Sequence, residues 1–149
     1  MKILIIVTST GTFANGKLAT GLWLSEFTHI YHSAKESGYD ITVANPKGGY
    51  TPIDPESLKP IFLDEMSEKY WEKPEFKKLL DHANSLDNLL EQQFDCVYLA
   101  GGHGAMYDFP GNNAEKIFLR DKAIHYCTGC SMCSLYGKPC PRSCNVNTA

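Results

Sequence analysis

Three groups of residues in this 149-residue chain have the types and spacing to do chemistry. The first is Gly101-Gly102-His103-Gly104, which follows the run Asp95-Cys96-Val97-Tyr98-Leu99-Ala100 directly. Glycines at such a place let the backbone turn sharply and aim amide N–H groups at a bound anion or a developing oxyanion. A tight strand-to-loop turn with no ligand uses the same residues, so the glycines alone do not decide between the two. His103 adds an imidazole, although a lone histidine is more often structural. The second group is Glu26, expected at the edge of a helix's apolar face with Leu22 and Ile30 one turn away on either side. A carboxylate half-sheltered near strand ends can be raised in pKa and act as acid, base or hydrogen-bond donor to a nucleophile. Most glutamates at such positions are simply solvated.

The third group is the tail. Cys127, Cys130 and Cys133 stand at C-x-x-C-x-x-C spacing, followed by Cys140-Pro141 and Cys144, while Cys96 lies far from them. The triplet has a superficial likeness to an iron–sulfur loop, but the gap from Cys133 to Cys140 is too long for that motif. Four thiolates in a short loop could satisfy a tetrahedral zinc site. The competing explanation is a shifted reading frame or a truncated gene, because all periodicity stops before the cysteines begin. On that reading no tail residue is assigned as a metal ligand.

The elements that must position the first two groups are legible from pattern. Ile3 to Val7 is a continuous apolar run, as expected for a strand covered on both faces of a parallel sheet. It ends in the polar loop Thr8-Ser9-Thr10-Gly11, at the strand end where open α/β sheets bind ligands. From Gly21 to Ser37, residues Trp23, Leu24, Phe27, Ile30, Tyr31 and Ala34 keep helical spacing, and Gly38 supplies a C-terminal cap. A second strand is expected over Tyr39–Ala44, broken by the turn residues Asn45-Pro46-Lys47-Gly48-Gly49. Strand, helix, strand in this order is a βαβ unit with a parallel pair. Tyr50 to Asn84 reads as a charged, proline-rich insertion with short helices near Asp54-Pro55-Glu56 and Pro74–Leu80. Leu86–Gln92 predicts another short helix, Asp95–Ala100 a buried strand, and Asn113 caps a helix reaching about Arg120.

Composition bounds the function classes. Hydrophobic content of 43% with 21% charged residues is that of an ordinary soluble globular chain. A net charge of −3 supplies no field for nucleic acid or anionic membranes, and the aromatic residues do not alternate with basic ones. Met1-Lys2 leads straight into a strand, so neither a targeting segment nor a membrane span is expected, and the location expected is cytoplasmic.

Taken together, Lys2–Ser9, Gly21–Glu26, Val43–Gly49, Pro52-Ile53-Asp54-Pro55 and Tyr98–Phe109 resemble the ThiJ/PfpI superfamily. They look most like its glyoxalase III and stress-chaperone branch, whose fold is similar to class I glutamine amidotransferases. The most specific element is Ala100-Gly101-Gly102-His103-Gly104-Ala105-Met106-Tyr107-Asp108-Phe109-Pro110, and the likeness runs from Met1 to about Ile117. The resemblance implies a flavodoxin-like α/β three-layer sandwich on a parallel sheet. It also implies a cofactor-free conversion of a small dicarbonyl, methylglyoxal, to D-lactate; related members are described as deglycases or holding chaperones, and the family often dimerises. In such proteins a cysteine on a Cys-His-Gly-Pro elbow is the nucleophile. The glutamate matching Glu26 shares a hydrogen bond with its thiolate, and the backbone matching Gly101 to Gly104 contributes to the oxyanion hole. Glu26, Gly102 and His103 are therefore the catalytic candidates.

This sequence departs from the pattern at the nucleophile. No Cys-His-Gly-Pro occurs in it. The elbow is expected about thirty residues after His103, near Cys133, where Cys130-Ser131-Met132-Cys133-Ser134-Leu135 stands instead, without a preceding apolar strand or a following histidine. The expectation is thus a family domain over residues 1–120, C-terminally incomplete, and a cysteine-rich tail over 121–149 with no assigned fold. Little or no glyoxalase activity is expected of the chain by itself. A chaperone-like or partner-binding protein, and a thiolate metal-binding or redox protein, are the alternatives.

Overall fold

The structure is a computed structural model and describes residues 1–14 and 16–109. The expected helix at Asn113 and all five tail cysteines lie outside the described residues.

Lys2–Ile6 forms β1, Asp40–Asn45 forms β2, Asn84–Ser85 the very short β3 and Cys96–Leu99 forms β4. They hydrogen-bond in the order β3-β2-β1-β4, and every pair is parallel. Ile3 is in register with Ile41 on one side and Cys96 on the other. The β-branched run predicted to be covered on both faces is so: Ile3, Ile5 and Val7 join the main core, and Leu4 and Ile6, which alternate to the other face, are equally buried. The architecture is flavodoxin-like α/β.

Leu24–Glu36 forms α1, ended by Ser37 and a left-handed Gly38. Its buried face, Leu24, Phe27 and Ala34 with Ile30 and Tyr31 beside them, is the one read from the spacing. The helix begins at Leu24 and not at Gly21. Residues before it stay extended because Leu22 bridges to Ile53 in a parallel β contact, with Leu22 N–H donating to the Pro52 carbonyl at 2.8 Å.

The insertion holds more helix than its composition indicates. Pro55–Leu58 and Leu86–Leu89 are single 3₁₀ turns, shorter than expected for the second, and Pro74–Asp81 is a helix. A further helix, Glu65–Trp71, has no counterpart in the sequence reading; it becomes α2, and Pro74–Asp81 becomes α3. Tyr70 from α2 and Phe76 and Leu80 from α3 close over Phe27 and Tyr31, with Phe27 and Phe76 ring centroids 5.4 Å apart. The burial seen along β1 does not extend to β4, an edge strand among the described residues. Cys96 and Leu99 are exposed on it, contrary to the expectation of a fully buried strand, and only Ala100 beyond its end is fully buried.

The cap of α2 supports a stability prediction. Asp64 accepts from the Ser67 N–H at 3.0 Å and from the Ser67 hydroxyl at 2.8 Å, and its Oδ2 lies 3.1 Å from His29 Nε2. Burial pushes the Asp64 carboxyl up, but the Ser67 and His29 contacts together hold it below its ordinary value. A carboxyl depressed in the folded state contributes stability above its unfolded pKa of about 3.9, and loses it as pH falls through the lower folded value. Asp64→Ala is expected to cost about 1 kcal/mol at neutral pH. Urea unfolding should show that difference shrinking below about pH 4.

Candidate active site

The strand order places β2 and β4 on opposite sides of β1, which makes the carboxyl ends of β1 and β4 a topological switch point. Three segments meet there: Val7–Gly11 after β1, Gly101–Gly104 after β4, and the first turn of α1. A four-residue helix, Ala105–Asp108 (α4), follows Gly104; the sequence pattern places the next helix later, near Asn113.

Glu26 is the third residue of α1. Helical side chains lean toward the N-terminus, so its carboxylate reaches back to the strand end, where Oε2 accepts from the Gly101 N–H at 2.8 Å. Gly101 returns the link by accepting from the Trp23 N–H at 3.1 Å. A Cβ at Gly101 would run into the Glu26 carboxylate, so a side chain there would displace it. Glu26 is exposed and not half-sheltered as expected. It stands in the first turn of α1, while the buried face of that helix is carried by Leu24, Phe27, Thr28 and Ala34. Among the described residues Oε1 has no hydrogen-bond partner. The Tyr98 phenol on β4 is pushed up by burial and further by the Glu26 charge, so the carboxylate's field reaches that strand.

Gly102 has φ of +129° and packs flat against the backbone of Gly21, Leu22 and Trp23. The following turn is tied by Gly104 N–H to the Gly21 carbonyl at 3.2 Å and by Ala105 N–H to the Gly102 carbonyl at 3.2 Å. Among the described residues, the N–H groups of Gly102 and His103 have no acceptor. Two neighbouring free amides at a strand end can bind an anion or an oxyanion.

Residues outside the three catalytic candidates hold this arrangement. Asp108, in α4, is buried and accepts from the Thr8 hydroxyl at 2.9 Å and the Ser9 N–H at 2.6 Å, locking the β1 loop to the glycine turn. Asn45, fully buried at the end of β2, accepts from Ser9 Oγ and from Gly48 N–H. Asp54, also buried, lies 3.3 Å from His103 Nδ1. The signal for Asp54 is the Asp-Pro-Glu turn, which announces a cap but not a partner 49 positions away.

Among the described residues no group of three or more histidine, cysteine or acidic side chains could hold a metal ion. No helix among them is long and apolar enough to cross a membrane.

A carboxylate and two backbone amides without an acceptor among the described residues thus lie at the switch point of a flavodoxin-like α/β protein. No family model matches the chain. Glyoxalase 3 of Candida albicans is 27% identical over 120 residues, covering 78% of this chain and 50% of that protein. Glutathione-independent glyoxalase hsp3101 of Schizosaccharomyces pombe is 28% identical over 112 residues, covering 73% and 46% respectively. The crystal structure of Rapid Encystment Protein 24 KDa from Francisella tularensis superposes with a TM-score of 0.71 at 34% identity, covering 78% of this chain and 51% of that one. These likenesses bear out the resemblance to the glyoxalase III branch of the ThiJ/PfpI superfamily. The chain spans about half the length of the curated relatives it matches.

Proposed function

We propose that the described domain carries the carboxylate-and-amide half of a glutathione-independent glyoxalase site, with a small dicarbonyl such as methylglyoxal as substrate. The observation that carries this reading is the pairing of Glu26 with Gly101 beside the free N–H groups of Gly102 and His103. Glu26 uses one oxygen to fix itself to the turn and keeps the other for the reacting groups. Backbone amides of this kind stabilise the oxyanion that forms when a nucleophile attacks an aldehyde carbon. His103 borders the same turn and offers a group able to exchange protons with it.

A thiolate attacking the aldehyde completes such a site. This chain contains no Cys-His-Gly-Pro. By itself it is therefore expected to form little or no D-lactate from methylglyoxal. Residues 1–117 joined to the part of Candida albicans glyoxalase 3 beyond the region of similarity should turn methylglyoxal over. D-lactate from the 149-residue chain would refute the missing nucleophile; a folded chimaera without turnover would refute the site.

A further inference from the structure

Asp54 is a buried carboxylate that the proposed chemistry leaves unused, and it is held unusually firmly. Its Oδ1 accepts from the Glu56 N–H at 3.0 Å, and its Oδ2 accepts from the Thr20 hydroxyl at 2.9 Å. Its own N–H donates to the Leu22 carbonyl at 2.9 Å, while its carbonyl accepts from the Ser57 hydroxyl at 2.7 Å. The side chain is 3% exposed. Against this fixed group lies Nδ1 of His103, 3.3 Å from Oδ2, on a side chain that is 53% exposed. The ring of Phe13 covers the imidazole from another side, with centroids 5.5 Å apart.

We propose that Asp54 is a positioning residue that fixes His103 as the Nδ1–H tautomer, so that Nε2 presents its lone pair beside the glycine turn. An ionised carboxylate only accepts, so the shared proton must sit on Nδ1 of a neutral ring. The opposite edge of the ring, with Nε2, has no partner among the described residues. The same residue carries one of the two amides that have no acceptor among the described residues. A donor site and an acceptor site thus adjoin, a combination suited to a hydrated aldehyde, whose hydroxyl groups both donate and accept. That use of the tautomer rests on the function proposed above; the tautomer itself does not.

The two are separated by measuring the ring directly, without substrate. Two-bond ¹H–¹⁵N correlation spectra of the 149-residue chain, recorded near pH 8.5 where imidazoles are neutral, report which nitrogen carries the proton. The His103 signals are identified by their loss in His103→Gln. The expected result is a majority of Nδ1–H at His103, against the Nε2–H preference of a free histidine side chain. In Asp54→Asn the amide NH₂ can donate to Nδ1, and the ring should revert to mostly Nε2–H. Should that variant not fold, Thr20→Val, which keeps the charge but removes the hydroxyl orienting Oδ2, should lower the Nδ1–H fraction. A wild-type His103 in the ordinary Nε2–H form overturns the proposal, as does a folded Asp54→Asn chain whose tautomer ratio matches wild type. Absence of turnover affects neither outcome.

Discussion

Gly102→Ala is expected to lower the unfolding free energy by roughly 2–5 kcal/mol, a fall in Tm of roughly 10 °C. Two effects add. At φ of +129° an alanine is strained whatever space surrounds it. The new methyl would also meet Trp23 N at 2.6 Å and the Gly21 carbonyl, both backbone atoms that cannot swing aside as a side-chain tip would. Gly38→Ala separates the two effects, because Gly38 has φ of +70° but nothing within 4 Å of the added atom. It should cost only about 1 kcal/mol. Denaturant unfolding of both variants checks the comparison. Equal losses would mean that the contact between the turn and the entry to α1 is unimportant.

Glu26→Gln is expected to leave the fold nearly unchanged and to remove the chemistry. Glutamine keeps an oxygen that can accept from the Gly101 N–H, so the 2.8 Å link between α1 and the turn can persist. The cost to stability should stay within about 0.5 kcal/mol, as for other exposed substitutions. What goes is the negative charge and the ability to take or give a proton at the second oxygen. Loss of a positioned acid or base typically lowers turnover by about 10²–10⁴-fold. In the chimaera described above, kcat should fall by that factor while Tm stays close to the parent.

How far these residues can be read from sequence depends on how locally their environment is determined. Ile3–Val7 needs only its neighbours on the sheet, and its continuous apolar run declares both faces. Phe27, Ile30, Tyr31 and Ala34 declare the face of α1 by spacing alone. Spacing misplaces the start of that helix because the parallel bridge from Leu22 to Ile53 comes from a distant segment. Glu65–Trp71 escapes notice because seven residues, with Ser67 and Tyr70 buried, show too little periodicity. Only the Asp64 cap marks it. The Asp54–His103 and Asp108–Thr8 pairs join positions far apart in the chain, and no local pattern announces such a partner.

The role of the carboxylate held by Gly101 is decided by D-lactate formation from methylglyoxal in the chimaera and in its Glu26→Gln variant, at equal concentrations of folded protein. Turnover is predicted in the parent, with a loss of about 10²-fold or more in the variant. A variant that forms D-lactate as fast as its parent would contradict this, because Glu26 would then have no part in the chemistry.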